Sequence, residues 1–139
     1  MYSGLTEIRV RYQETDKMGV AYHSNYFVWF EVGRTEFFRQ IGLAYREFEK
    51  NNLFFPVIKV FCQYRQPAHY DDLVKITTRI DTLQEVRLTF KYLLHREETL
   101  LAEGETEHVF VNERGKPLVL RKHSPFFWKR MLEALENHK

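Results

Sequence analysis

Residues Tyr12 to Glu36 read YQETDKMGVAYHSNYFVWFEVGRTE. An acid (Asp16), a glycine suited to a turn (Gly19) and the pair Tyr22-His23 come directly before an aromatic run. Ser24 or Asn25 is placed to cap a helix, because each side-chain oxygen accepts from the free N–H groups of a first turn. Beyond them Tyr26, Phe27, Trp29, Phe30, Gly33, Phe37 and Ile41 recur near helical spacing, and Phe38 widens the stripe. Gly42 is a suitable C-terminal stop. The spacing predicts a helix over roughly 25–41. That helix is too apolar for a solvated surface, so the remaining chain has to cover it.

The flanking segments supply the cover. Residues 5–13 alternate, with Ile8, Val10 and Tyr12 on one side and Arg9 and Arg11 on the other, and predict a strand. A short polar helix is expected over 43–51. Four strand-like runs follow at 53–65, 72–82, 85–95 and 99–111, the middle two with clear period-two alternation. Their links are short and carry turn residues, which implies an antiparallel sheet. Ser124-Pro125 is a cap and first-turn pair for a final helix over 125–137. The expected class is α+β: a five-stranded antiparallel sheet around one long helix, with a short C-terminal helix.

Bulk composition limits the function classes. At 139 residues the chain fits a single domain over 1–139. Its 44% hydrophobic and 16% aromatic content supports a packed core rather than disorder. The 21 basic against 19 acidic residues leave +2, which does not suggest a nucleic-acid binder. No apolar run is long enough to span a membrane, and the first ten residues lack the blocks of a signal peptide. Cys62 is the only cysteine, so no internal disulfide forms and a reducing, cytoplasmic setting fits. The histidines at 23, 69, 95, 108, 123 and 138 form neither HxH nor HExxH, so no metal site and no cofactor is expected. No phosphate-binding glycine loop is present. Arg121-Lys122-His123 is a small basic cluster, more simply read as a solvated tail than as a phosphate contact.

The segment Tyr12-x-Glu14-Thr15-Asp16-x-x-Gly19-Val20-x-Tyr22-His23-x-Asn25-Tyr26, with this order of elements, resembles the hotdog-fold acyl-CoA thioesterases. The likeness is to the 4-hydroxybenzoyl-CoA thioesterase type and its YbgC-like branch. It covers about 5–118, supported by Pro67-Ala68-x-Tyr70-Asp71-Asp72 and Asn112-x-x-Gly115-Lys116-Pro117. The resemblance implies a hotdog fold, an acyl-CoA substrate and a catalytic acid at Asp16, acting as nucleophile or as general base. It implies further contributions from Tyr12 and His23, and a thioester oxygen bound by backbone N–H groups around Tyr22 and His23. It also implies subunits paired edge to edge, a homo-oligomer reaching a tetramer built from dimers, and active sites at subunit interfaces.

Physical chemistry is consistent with that assignment. A thioester oxygen gains negative charge as its carbon is attacked, and free N–H groups at a helix start stabilise that charge. The thiolate of coenzyme A leaves readily, so no Ser-His-Asp set is needed. Taken alone, Asp16 beside a turn would be an ordinary Asx-turn or surface carboxylate. Tyr12 would be a core aromatic at a strand end, and His23 a helix cap. Glu14 and Glu31 read as structural partners of nearby arginines, and Cys62 as a small core residue. Two rival functions remain: hydrolysis of acyl groups carried on acyl carrier protein, and non-catalytic acyl-CoA binding. A dehydratase of the same fold is disfavoured because no His-and-acid hydration motif is present.

Overall fold

A computed structural model of the chain describes residues 1–136. Ten elements follow in order: β1 (Gly4–Arg9), a 3-10 turn (Tyr12–Glu14), α1 (Asn25–Gln40), α2 (Tyr45–Lys50), β2 (Val57–Tyr64), β3 (Leu73–Leu83), β4 (Arg87–Arg96), β5 (Thr99–Val109), α3 (Leu120–His123) and α4 (Pro125–Glu136). The strands form one antiparallel sheet in the order β1-β3-β4-β5-β2. The class is α+β, as expected.

Period-two alternation sets the two faces. Val74, Ile76, Thr78 and Ile80 of β3 turn inward with Leu88, Phe90, Tyr92 and Leu94 of β4, and all are buried. Helix α1 lies on this face. Its Phe37 and Phe38 meet Phe90 edge to face at 5.5 and 5.4 Å, and Phe38 meets Phe48 of α2 at 4.9 Å. Phe48 in turn meets Phe127 of α4 at 4.9 Å. The opposite face is uncovered. It carries cross-strand ion pairs such as Arg87–Glu107 and Lys91–Asp81.

One approach sets how close α1 comes to the sheet. The ring of Phe30 stacks on Tyr92 at 4.4 Å and lies directly over the backbone of Gly104. A Cβ at position 104 would fall 2.1 Å from Phe30 Cζ. Gly104→Ala is therefore expected to cost about 1–3 kcal/mol by overpacking. Urea denaturation measures it, and an unchanged midpoint would refute the reading.

Three expectations need correction. The strand over 5–13 ends at Arg9, and Tyr12 leaves it for the 3-10 turn. The cause is Glu14, whose carboxylate folds back to accept the Arg11 N–H at 2.7 Å and becomes buried. Ser24 occupies the cap position of α1 but makes no side-chain cap bond. The side chain of Asn25 instead donates to the carbonyls of Glu14 and Tyr22. Residues 121–123 are helical rather than a free tail: Arg121 pairs with Glu85, and His123 bonds the carbonyl of Asn51 at 2.8 Å.

Candidate active site

Asp16 sits at the tip of a tight hairpin. Thr15 bridges Ala21, the Asp16 N–H donates to the Val20 carbonyl at 2.9 Å, and Gly19 adopts φ +78°, a region open to glycine. Asp16 Oδ1 accepts the Met18 N–H at 2.8 Å, an Asx turn that fixes the carboxylate. Its second oxygen has no protein partner among the described residues. The side chain is exposed. A held, half-free, solvated carboxylate can act on a bound acyl carbon or on water.

The hairpin is tied to the start of α1. The Tyr22 N–H donates to the Glu14 carbonyl at 2.8 Å, which the Asn25 side chain also reaches at 2.9 Å. Glu14 Oε2 accepts from the buried Trp29 indole at 3.2 Å, and Arg11 lies 3.5 Å from the same carboxylate. Glu14 thus joins acid loop, turn and helix, more than the simple arginine partner expected. Glu31 forms no ion pair among the described residues.

With the Tyr22 N–H committed, the N–H groups of His23 and Ser24 are those without an acceptor among the described residues. Both open on the first turn of the 16-residue helix α1. Such N–H groups, with the positive end of the helix, suit a developing oxyanion. The Tyr22 ring lies 4.3 Å from that of His23. Tyr12 is 77% exposed, and its ring meets Tyr70 at 5.7 Å. No hydrogen bond or ion pair among the described residues joins the side chains of Tyr12, Asp16 and His23 to one another. What gathers them is the backbone from 12 to 25.

A cleft of about 280 Å³ opens beside His23, lined by Ala21, Tyr26, Tyr64, Arg65, Gln66 and Pro67. Tyr64 had not been anticipated. Its hydroxyl donates to the His23 carbonyl at 2.9 Å, its ring meets Tyr26 edge to face at 4.8 Å, and burial raises its pKa. Cys62, two residues before it on β2, also has its pKa raised by burial, so it holds a thiol and not a nucleophilic thiolate. A larger hollow of about 410 Å³ lies on the outer sheet face among Arg79, Lys91, Glu103 and Glu105. Most of those charges are already paired, and no reactive group stands beside a helix start there. Among the described residues no group of three His, Cys, Asp or Glu could hold a metal ion, and no helix is long and apolar enough to cross a membrane.

Comparison with known proteins bears on the family and the fold. The Bacillus subtilis protein YneP is 34% identical over 127 residues, 90% of this chain and 92% of its own. The acyl-CoA thioester hydrolase YbgC of Escherichia coli O6:H1 is 34% identical over 117 residues, 83% of this chain and 87% of its own. The crystal structure of a DHNA-CoA thioesterase from Staphylococcus aureus superposes with a TM-score of 0.92 at 32% identity, covering 96% of this chain and 91% of that one. The model of the thioesterase-like superfamily matches residues 10–129, and with its hotdog architecture the chain belongs to that family.

Proposed function

We propose that the protein is an acyl-CoA thioesterase, acting as one domain over 1–139 and releasing a free acid and coenzyme A. The observation that carries the reading is the Asp16 hairpin, fastened by its own backbone to a helix start with two N–H groups that have no acceptor among the described residues. Asp16 attacks the thioester carbon or activates water. The N–H groups of His23 and Ser24 take the developing negative charge. Tyr22, His23 and Tyr12 frame the approach. The activities named for YbgC and for the staphylococcal enzyme support the choice of a coenzyme A thioester. Purified protein should release free thiol from a panel of short, long and aromatic acyl-CoAs. Release only from acyl carrier protein would move the function to that carrier, and tight acyl-CoA binding without release would make it a binder. A lone cysteine, Cys62, with no disulfide suits a reducing cytoplasm.

The active unit is a dimer paired along β2, from which a tetramer can be built. β2 is an edge strand, and Ile58, Val60, Phe61 and Tyr64 on it are 40–56% exposed. A naked apolar edge of this kind invites pairing with a second strand. Two copies of β2 run antiparallel would bring the Tyr64 end, beside the cleft, against the partner's Val57 end. Ile58→Lys combined with Val60→Lys should convert the dimer to a monomer in light scattering at micromolar concentration and lose turnover with it. A fully active monomer would overturn this.

A further inference from the structure

The acid loop does not stand alone. Its inner side is hydrogen-bonded to residues 68–69: the Ala21 N–H donates to the Ala68 carbonyl at 2.7 Å, and Val20 bridges His69. The position of Asp16 therefore depends on what holds 67–72. This segment carries no regular secondary structure of its own, and its backbone depends on side chains.

One cation, alongside Arg9, which donates to the Asp71 carbonyl at 2.9 Å, reaches both ends of the segment. Arg96 is the last residue of β4, more than twenty positions away in sequence. Its Nη1 donates to the Pro67 carbonyl at 3.1 Å and to Asp72 Oδ2 at 2.8 Å. The same carboxylate oxygen accepts the His69 N–H at 2.8 Å. The Asp72 N–H returns to the His69 carbonyl at 3.1 Å, and backbone bonds from Asp71 and Asp72 tie the far end to Val10, the residue after β1. Arg96 thus spans both ends of the segment whose centre holds the acid loop. A guanidinium suits this task because one nitrogen carries two N–H groups in a fixed plane. Both partners are partly shielded, at 29% and 21% side-chain exposure, so the pair is less screened than a surface bridge.

We propose that Arg96 is a positioning residue for Asp16, acting through Pro67, Asp72 and the Ala68–Ala21 hydrogen bond. The inference rests on the thioesterase reading for its kinetic consequence but not for its structural one. Loss of the clamp lets 67–72 shift, and a shift of about 1 Å in a reacting group costs up to about 100-fold in rate.

The test uses the full chain carrying Arg96→Ala or Arg96→Lys, with Asp72→Asn in reserve if the alanine variant does not fold. Amide hydrogen exchange should quicken at Ala21 and Asp16 while amides of β3, β4 and β5 stay protected. The kcat should fall about 10- to 100-fold with KM within about twofold. Lysine should recover part of the rate, and added guanidinium ion should recover part of it in the alanine variant. Unchanged exchange at Ala21, or acceleration spread evenly over the sheet, overturns the proposal. Asp16→Asn is measured in parallel. Wild-type turnover in that variant removes the role of Asp16, while exchange at Ala21 still decides whether Arg96 holds the loop.

Discussion

Replacing Asp16 by asparagine is expected to lower acyl-CoA turnover by about 10²–10⁴-fold, the usual contribution of a positioned base. The substitution keeps the size of the side chain and an oxygen able to accept the Met18 N–H, so the Asx turn survives. The residue is exposed, and a neutral change there should move stability by no more than about 0.5 kcal/mol. Thiol release under saturating substrate reads the effect, and thermal melting confirms the fold. A variant that folds normally and turns over at close to the wild-type rate would exclude the mechanism. A single turnover in heavy-oxygen water tests for a nucleophile: label entering Asp16 marks a mixed anhydride opened by water at the Asp16 carboxyl carbon, whereas label in the acid product alone is common to a base and to an anhydride opened at the acyl carbon.

Acid should weaken the fold through one buried imidazole. His108 is wholly buried, and its pKa is pushed down to about 4, first by burial and further by the Arg34 charge, against an opposing bond to Phe55. Its Nδ1–H donates to the Phe55 carbonyl at 2.9 Å. Its Nε2 then accepts from Thr106, which in turn accepts from Tyr92, at 2.9 and 2.6 Å. Arg34 stands 3.5 Å from that tyrosine at the outer end of the chain. Every member has a direction consistent with a neutral ring, and a second ring proton would point a donor at a donor. In the unfolded chain the same histidine titrates near pH 6.5. Below that pH the unfolded state binds the proton and the folded state does not. Stability is thus complete above about pH 6.5 and falls as pH drops to about 4, by about 3 kcal/mol in all. Urea midpoints across this range measure the slope. His108→Gln, which cannot titrate, should flatten it, and an equal slope in both proteins would refute the assignment.

The parts of this design that lie next to one another in the chain were the legible ones. Asp16, Gly19, Tyr22 and His23 fall within eight residues, and the same short backbone that orders them in sequence orders them in space. The stop of α1 near Gly42 was legible for the same reason, whereas the capping role expected of Ser24 or Asn25 at its start was not what the structure holds. The strand periods of β3 and β4 were clear because a core covers one face of each. The end of β1 was hidden, since it depends on a glutamate that folds back into the core. Arg96 and Tyr64 were equally hidden, and Asp72 was visible as part of a supporting segment but not as the partner of a clamp. Their chemistry is ordinary, and each gains meaning only when the sheet brings it across 24 to 41 residues of chain to its partner. Nothing in the run 57–64 showed that β2 would be an edge, because edge and centre differ in neighbours rather than in composition.

The seat of Phe30 on Gly104 has a consequence for how this sequence can vary. Position 104 has no room for a side chain because position 30 has a ring, so the two residues form one heritable unit. A drift to alanine at 104 becomes tolerable only after the ring at 30 has shrunk, and shrinking the ring first opens a void. Each single step is a loss, and the pair together costs less than their sum. A lineage would therefore keep both residues or exchange both, and a library that randomises α1 alone would return Phe30 wherever Gly104 is held.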